Sequence, residues 1–431
     1  MTTYYAEHAW VSGEVRDGVA IDVERGVIAS VAASRPTGSR LPGLTLPGLA
    51  NVHSHAFHRA LRGRANVRGT FWHWRERMYD LAGRLTPDTY RALARAVYAE
   101  MALAGITCVG EFHYLHHAPG GVRYADPNEM SAALVAAAAE AGIRITVLDA
   151  CYLSSTVDGG PLSGAQERFG DGDADAWAAR VDGLKAPPHA AVGAAIHSVR
   201  AMPATQMPTV VEWAAARQAP LHVHLSEQRG ENAACLAHYG RTPTELLLDA
   251  GALGPRTTAV HATHLTDNDR AELGDTDTGV CLCPTTERDL ADGIGPGRAL
   301  ADAGSPLSLG SDSHAVIDLF EEARAVELHE RLRTEHRGHF TTAELVSAAT
   351  AHAALGWTDA GALAPGQRAD LVTITLDSPR TAGTGPTGAL FAATAADVTD
   401  VVVDGRVVVR DGRHVTVDVP AALRDAIGAL R

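Results

Sequence analysis

The chain has 431 residues, 46% hydrophobic and 20% charged, with a net charge of −14 at pH 7. That is too apolar for a disordered chain, and long enough for a large α/β domain plus a smaller one. No Lys/Arg-rich run and no apolar stretch of about eighteen residues occurs, which argues against a nucleic-acid partner and a membrane span. The first residues form no basic and apolar leader, so a cytoplasmic protein is expected.

In chain order, the first 45 residues or so read as short strands broken by glycine: "AWVSG", "GVAIDVE", "GVIASVAA". A unit then recurs, in which a helix, a glycine stop and a short apolar strand follow one another. "TPDTYRALARAVYAEMALAGITCVGEFHY" has Thr86 as N-cap, Pro87 in the first turn and Gly105 as stop. Gly142, Gly251 and Gly304 close comparable units. The far end returns to strands, with Asp404-Gly405 as a hairpin signal. Strands apolar throughout and alternating with helices predict a (β/α)8 TIM-like barrel, and no GxGxxG argues for a dinucleotide fold. The predicted organisation is a composite β-sandwich domain from residues 1–46 plus 364–431 around a barrel of residues 47–363. Cys108, Cys151, Cys235, Cys281 and Cys283 read as reduced core thiols, because Cys281-x-Cys283 has no matching second pair.

Chemistry in such a barrel sits where strands end. The first barrel strand ends in His53-Ser54-His55, whose i and i+2 imidazoles share one side. "APLHVHLSEQ" supplies His222, His224 and Glu227, "TTAVHATHL" supplies His261 and His264, and "SPLSLGSDSH" supplies Asp312 and His314. Three imidazoles and a carboxylate suit Zn2+ or a similar divalent ion, with a position left for water. An isolated H-x-H is more often a hydrogen-bonded pair, but recurrence at four strand ends favours metal. Pattern alone leaves His222 and His224 as alternatives.

"LPGLANVHSHAF", "HLSEQ", "VHATH" and "GSDSH" resemble the metal-site motifs of the amidohydrolase superfamily. "NVHSHAFHRALRG", "FWHWRERMY", "EFHYLHH", "HSVRA" and "CLCPTTERDLADGI" narrow the resemblance to its formimidoylglutamate deiminase family, which acts in histidine degradation. The resemblance implies His53, His55, His224 and Asp312 as ligands, with Glu227, His261 and Asp312 catalytic. It implies His58, Arg75, Tyr114, His197 and Arg200 as substrate-binding, in a cytoplasmic homodimer whose partner is a small anionic molecule. Arginine forks suit the two carboxylates of such a substrate. Arg75 is open to two readings, a neighbouring subunit's site or a solvated helix face. His58 departs from the family, which has glutamine there, and Arg59, Arg62 and Arg64 read as solvated or subunit-facing.

The family's binuclear relatives bridge two ions through a carboxylated mid-barrel lysine. The only lysine here, Lys185, lies in "VDGLKAPPHA" before a strand, so one divalent ion per subunit is expected, with zinc first. The implied reaction is hydrolytic deamination of N-formimidoyl-L-glutamate to N-formyl-L-glutamate and ammonia, with Glu227 moving protons. The alternatives are a deaminase of purine, pyrimidine or triazine rings, a hydrolase releasing formamide from the same substrate, and a catalytically inactive assembly protein.

Overall fold

The strands that read as wholly apolar become the staves of a parallel barrel. A computed structural model describes residues 1–64 and 71–431, and the side chains of all of these except Phe71, Trp72 and His73. Four N-terminal strands come first: β1 (Thr2–Val11), β2 (Glu14–Glu24), β3 (Val27–Ala33) and β4 (Ser39–Pro47). Then follow β5 (Leu49–Ser54), β6 (Ile106–His113), β7 (Arg144–Cys151), β8 (Ala190–Ile196), β9 (Leu221–Leu225), β10 (Thr257–His261), β11 (Gly279–Leu282) and β12 (Leu307–Leu309). These eight pair in sequence order, every neighbour parallel. The chain ends with β13 (Leu371–Ile374), β14 (Val398–Val403), β15 (Arg406–Arg410) and β16 (Arg413–His414).

The barrel closes through a narrow seam between β5 and β12. A single parallel bridge, Ser54 with Asp312, joins them. His55 N–H donates to the Asp312 carbonyl at 3.2 Å, and Asp312 N–H donates to the His53 carbonyl at 3.0 Å. Asn51 crosses the same gap, donating through Nδ2 to Ser311 Oγ at 2.7 Å and accepting from Ser311 N–H at 2.9 Å. Gly310 permits the approach, since a Cβ there would lie 2.7 Å from His53 Cβ.

The covering helices start and stop where local chemistry directs. Thr86 caps the helix Pro87–Leu103 by accepting from Thr89 N–H, with Pro87 in its first turn. The helix Glu129–Ala141 ends on left-handed Gly142 (φ 76°), and Gly297–Ala303 ends on Gly304 (φ 107°).

The remaining strands form one sheet in the order β16-β15-β14-β13-β4-β1-β2-β3. It folds over its own core, because Ile28 N–H reaches the Gln367 carbonyl and Ala369 N–H reaches the Gly26 carbonyl, each at 2.8 Å. Tyr4, Ala6, Ile21, Leu41, Leu371 and Val402 fill that core. The register of β1 on β4 slips between Ala6 and His8, which places Ala9 and Val11 in the same core after the slip. Asp404 and Gly405 are both left-handed (φ 48° and 75°) and turn β14 into β15. Leu44, Leu46, Val372, Ile374 and Val401 belong to the barrel's own hydrophobic cluster, so the two units share buried surface. All five cysteines are buried and unpaired. Among the described residues no helix is long and apolar enough to cross a membrane.

Candidate active site

Histidines and carboxylates gather where the barrel strands end. His53 and His55 come from β5, His224 from β9, His261 from β10 and Asp312 from just past β12. His53 Nε2 lies 3.1 Å from His224 Nε2 and 3.4 Å from Asp312 Oδ1. His55 Nε2 is 3.5 Å from the same oxygen. His55 Nδ1 donates to the Phe112 carbonyl and His224 Nδ1 to the His197 carbonyl, both at 2.8 Å. Those bonds fix the tautomers and leave His55 Nε2 and His224 Nε2 as bare acceptors. Burial, the largest influence on each, holds His53 down to about 3 and lowers His55 and His224, so the rings are neutral. Bare nitrogens facing a carboxylate in a buried pocket repel unless a cation lies among them. This His3Asp set therefore fits a divalent ion.

One further carboxylate, Glu227, and one further imidazole, His261, stand beside that set. His261 Nε2 faces Asp312 Oδ2 at 3.7 Å and Glu227 Oε1 at 3.9 Å. Burial disfavours a charge on His261, but Glu227, the Glu287 hydrogen bond and Asp312 outweigh it and raise its pKa well above the usual value. Burial raises Glu227, against the pull of His261. Asp312 is buried too, yet His53, His261 and His55 hold its carboxyl well below the usual carboxylate range. Ser226, His261, Ala262, Asp312 and His314 all have positive φ, between 41° and 71°. Such strained, non-glycine backbone is concentrated here at the strand ends, where it turns side chains inward.

The pocket above them is lined by His55, His58, Trp74, Arg75, Tyr79, Tyr114, Tyr152, His197, Arg200, Glu227, His261 and Asp312, among others. His58 sits in a 3-10 turn (Ala56–Leu61), its Nε2 2.9 Å from the Tyr114 hydroxyl. Arg200 is half-buried; burial opposes its charge, but Glu231, Tyr152, Glu227 and Tyr79 together outweigh it and raise its pKa. Its Nη1 lies 3.4 Å from Glu231 Oε2, while its Nε has no hydrogen-bond partner. Arg75 lines the pocket of its own chain, with its guanidinium 5.5 Å from the Tyr79 ring centroid.

Several residues stand apart from the cluster. His222 Nε2 bonds the Ala354 carbonyl at 2.9 Å, away from the cluster. His264 Nε2 bonds the Asp292 carbonyl at 2.8 Å. Arg59 and Arg62 are half-buried and paired: both bind Glu100 at 2.7 Å, and Arg62 Nε also reaches the His314 carbonyl. Lys185 lies between the helix Ala174–Val181 and the start of β8, at the end of the barrel opposite the cluster. A second His–His–Asp group, His113, His116 and Asp149, is also close-set. Both Asp149 oxygens there are taken by Arg180, at 2.7 and 3.0 Å, and Trp177 Nε1 adds a third bond at 3.0 Å. A cation would meet a guanidinium, so this group is an ion-paired core.

The sequence reading missed the residues behind the pocket. Glu111 accepts from Ser54 Oγ at 2.7 Å and Ala56 N–H at 2.6 Å, bracing the turn through His55. Tyr152 lines the pocket and Glu231 contacts Arg200. Glu287 stands behind His261. Glu111 and Glu287 lie in quoted motifs and Tyr152 just past a strand end, while Glu231 lies in the helix Arg229–Tyr239 outside both, and only the folded chain reveals what each touches.

A closed parallel barrel with imidazoles and carboxylates converging at its strand ends has the architecture of a barrel hydrolase. The chain matches the model described as the Amidohydrolase family over residues 44–408. It belongs to the amidohydrolase family. Among curated relatives, it is similar to a formimidoylglutamate deiminase of Pseudomonas aeruginosa, 38% identical with 96% of each chain covered. An 8-oxoguanine deaminase of the same species is 32% identical, covering 88% of this chain and 85% of that one. The solved structure of an amidohydrolase from Brucella melitensis matches with a TM-score of 0.91 at 32% identity over 100% of both chains. An atrazine chlorohydrolase of Arthrobacter aurescens, complexed with zinc, shares the fold at a TM-score of 0.90 and 23% identity over 100% of both chains.

Proposed function

We propose that the chain is a hydrolytic deiminase of N-formimidoyl-L-glutamate, forming N-formyl-L-glutamate and ammonia with one divalent ion per subunit, zinc before others. The observation that carries the substrate is Arg200: a half-buried guanidinium in the pocket whose buried Nε–H lacks a partner. A substrate carboxylate accepts from that Nε–H with a full negative charge, which a neutral ring does not offer. The 38% identity to a formimidoylglutamate deiminase supports the same reading.

His53, His55, His224 and Asp312 would hold the ion, which when bound lowers the pKa of water towards about 7. Glu227 takes a proton from the attacking water and hands it to the departing nitrogen. Its pKa, raised by burial, brings that exchange nearer neutrality than a free carboxylate allows. Water oxygen bonds the formimidoyl carbon as the C=N bond opens, and the first proton makes the terminal nitrogen an amine. The oxygen's second proton then follows by the same carboxylate, the C–N bond breaks as C=O forms, and ammonia leaves. His261 steadies the oxygen as negative charge develops on it. Arg200, His197 and Arg75 hold the carboxylates, while His58 and Tyr114 contact the substrate nearer the reacting end. With Lys185 at the opposite end of the barrel, no lysine is available to bridge a second ion. The family resemblance extends the proposal to a cytoplasmic homodimer.

An ammonia-release assay on N-formimidoyl-L-glutamate, run beside guanine, 8-oxoguanine and triazine substrates, tests the reading. Ammonia and formylglutamate should appear in equal amounts from the first. Preferential deamination of a ring would replace the proposal with the chemistry of the 8-oxoguanine relative, and formamide in place of ammonia would also overturn it.

A further inference from the structure

His261 is held from behind. Glu287, in the short helix Pro284–Asp289 after β11, is buried, and its Oε1 lies 3.4 Å from His261 Nδ1. The same oxygen accepts from Cys283 N–H at 2.9 Å, which ties the carboxylate to the end of β11. On the other edge of the ring, Nε2 faces Glu227 and Asp312. One face stacks on His224, with centroids 5.7 Å apart and planes 12° from parallel.

Stacking fixes the plane of the imidazole but not which way round it sits. A half-turn about the bond to the ring preserves the stack, yet puts carbon where each nitrogen was. The carboxylate behind Nδ1 breaks that degeneracy, since only one orientation gives it an N–H. A buried acid orienting an imidazole that works on its far side is a recurrent catalytic arrangement.

We propose that Glu287 is a positioning residue: it orients His261 so that Nε2, and not a ring carbon, meets Glu227 and Asp312. This rests on the deaminase reading of the pocket. The requirement for a charged oxygen at this place also explains the acid in "CPTTERDL", one helical turn after Cys283.

The test uses metal-loaded full-length protein with Glu287→Gln and Glu287→Ala. Glutamine keeps an oxygen for Cys283 N–H, but that neutral oxygen holds Nδ1–H more weakly than a carboxylate and selects the ring orientation less sharply. Metal content and KM should then stay unchanged while kcat falls about 10- to 100-fold. Alanine, which keeps neither bond, should fall further. In proton NMR, the low-field imidazole N–H resonance that disappears in His261→Asn should move upfield in Glu287→Gln. Wild-type kcat in the glutamine variant, a rise in KM alone, an unmoved resonance, or loss of metal or fold in that variant would each overturn the proposal. Wild-type protein that releases no ammonia from formimidoylglutamate overturns the substrate reading alone. The resonance comparison needs no substrate and still decides Glu287.

Discussion

Glu227 and Asp312 share one imidazole, His261, but not the same electrostatics. Asp312 meets His53, His55 and His261, and those contacts overcome the cost of its burial. Glu227 approaches only His261 and is repelled by Asp312, so burial prevails and its pKa rises. Two neighbouring carboxylates pushed in opposite directions divide the labour between a permanent anion and a proton carrier. Glu227→Gln should therefore reduce kcat by about 100- to 10,000-fold, the scale of general acid–base catalysis, with metal content unchanged. Elemental analysis beside turnover checks this, and near-normal turnover removes Glu227 from the role. At this scale the sequence is most informative where spacing carries chemistry, as in His53-Ser54-His55. It is silent where a partner comes from a distant strand. Arg59 and Arg62 look solvated in the string because Glu100 lies 38 or more positions away.

The elements were legible from their ends. Thr86 with Pro87, and the glycines at 105, 142 and 304, mark boundaries by local rules that need no tertiary contact. What joins one element to another is harder to read, because it runs through polar groups in the core. Asp149 on β7 illustrates this: Arg180 of the helix Ala174–Val181 bonds both its oxygens, and burial makes that pairing strong. Burial opposes its ionisation, but Arg180 and His116 win and bring its pKa from 3.8 down to about 2. A depressed carboxylate adds stability above its unfolded pKa and loses it as pH falls through its folded one. The window is then about pH 4 down to 2, and the contribution is about 2 kcal/mol. Urea unfolding of wild type and Asp149→Asn should differ by at least that much at about pH 6. The gap should shrink as pH drops below about 4; a gap independent of pH refutes the linkage.

At the scale of the molecule, two β-rich termini around a barrel were evident in the order of strand types, while the connection between them was not. Arg144, the first residue of β7, is fully buried and pairs with Asp370, just before β13, and with Asp404 at the β14–β15 turn. Arg144→Met leaves Asp370 buried without its counter-ion and should cost about 3–5 kcal/mol. Calorimetry should report a lower melting temperature for barrel and β domain together; early melting of one unit alone contradicts a shared core. Closure of the barrel was likewise invisible in the string, since its seam is one bridge, a few hydrogen bonds and a glycine rather than an apolar run. The seam has a consequence for how the chain folds. Residues 51–55 must find residues 310–314, so the proposed ion site spans the longest loop in the barrel and forms only when that loop has closed. A divalent ion ligated from both banks favours the closed ring over every open one by mass action. Its concentration then becomes a handle on assembly: the rate of losing metal on chelation reports how often the ring opens.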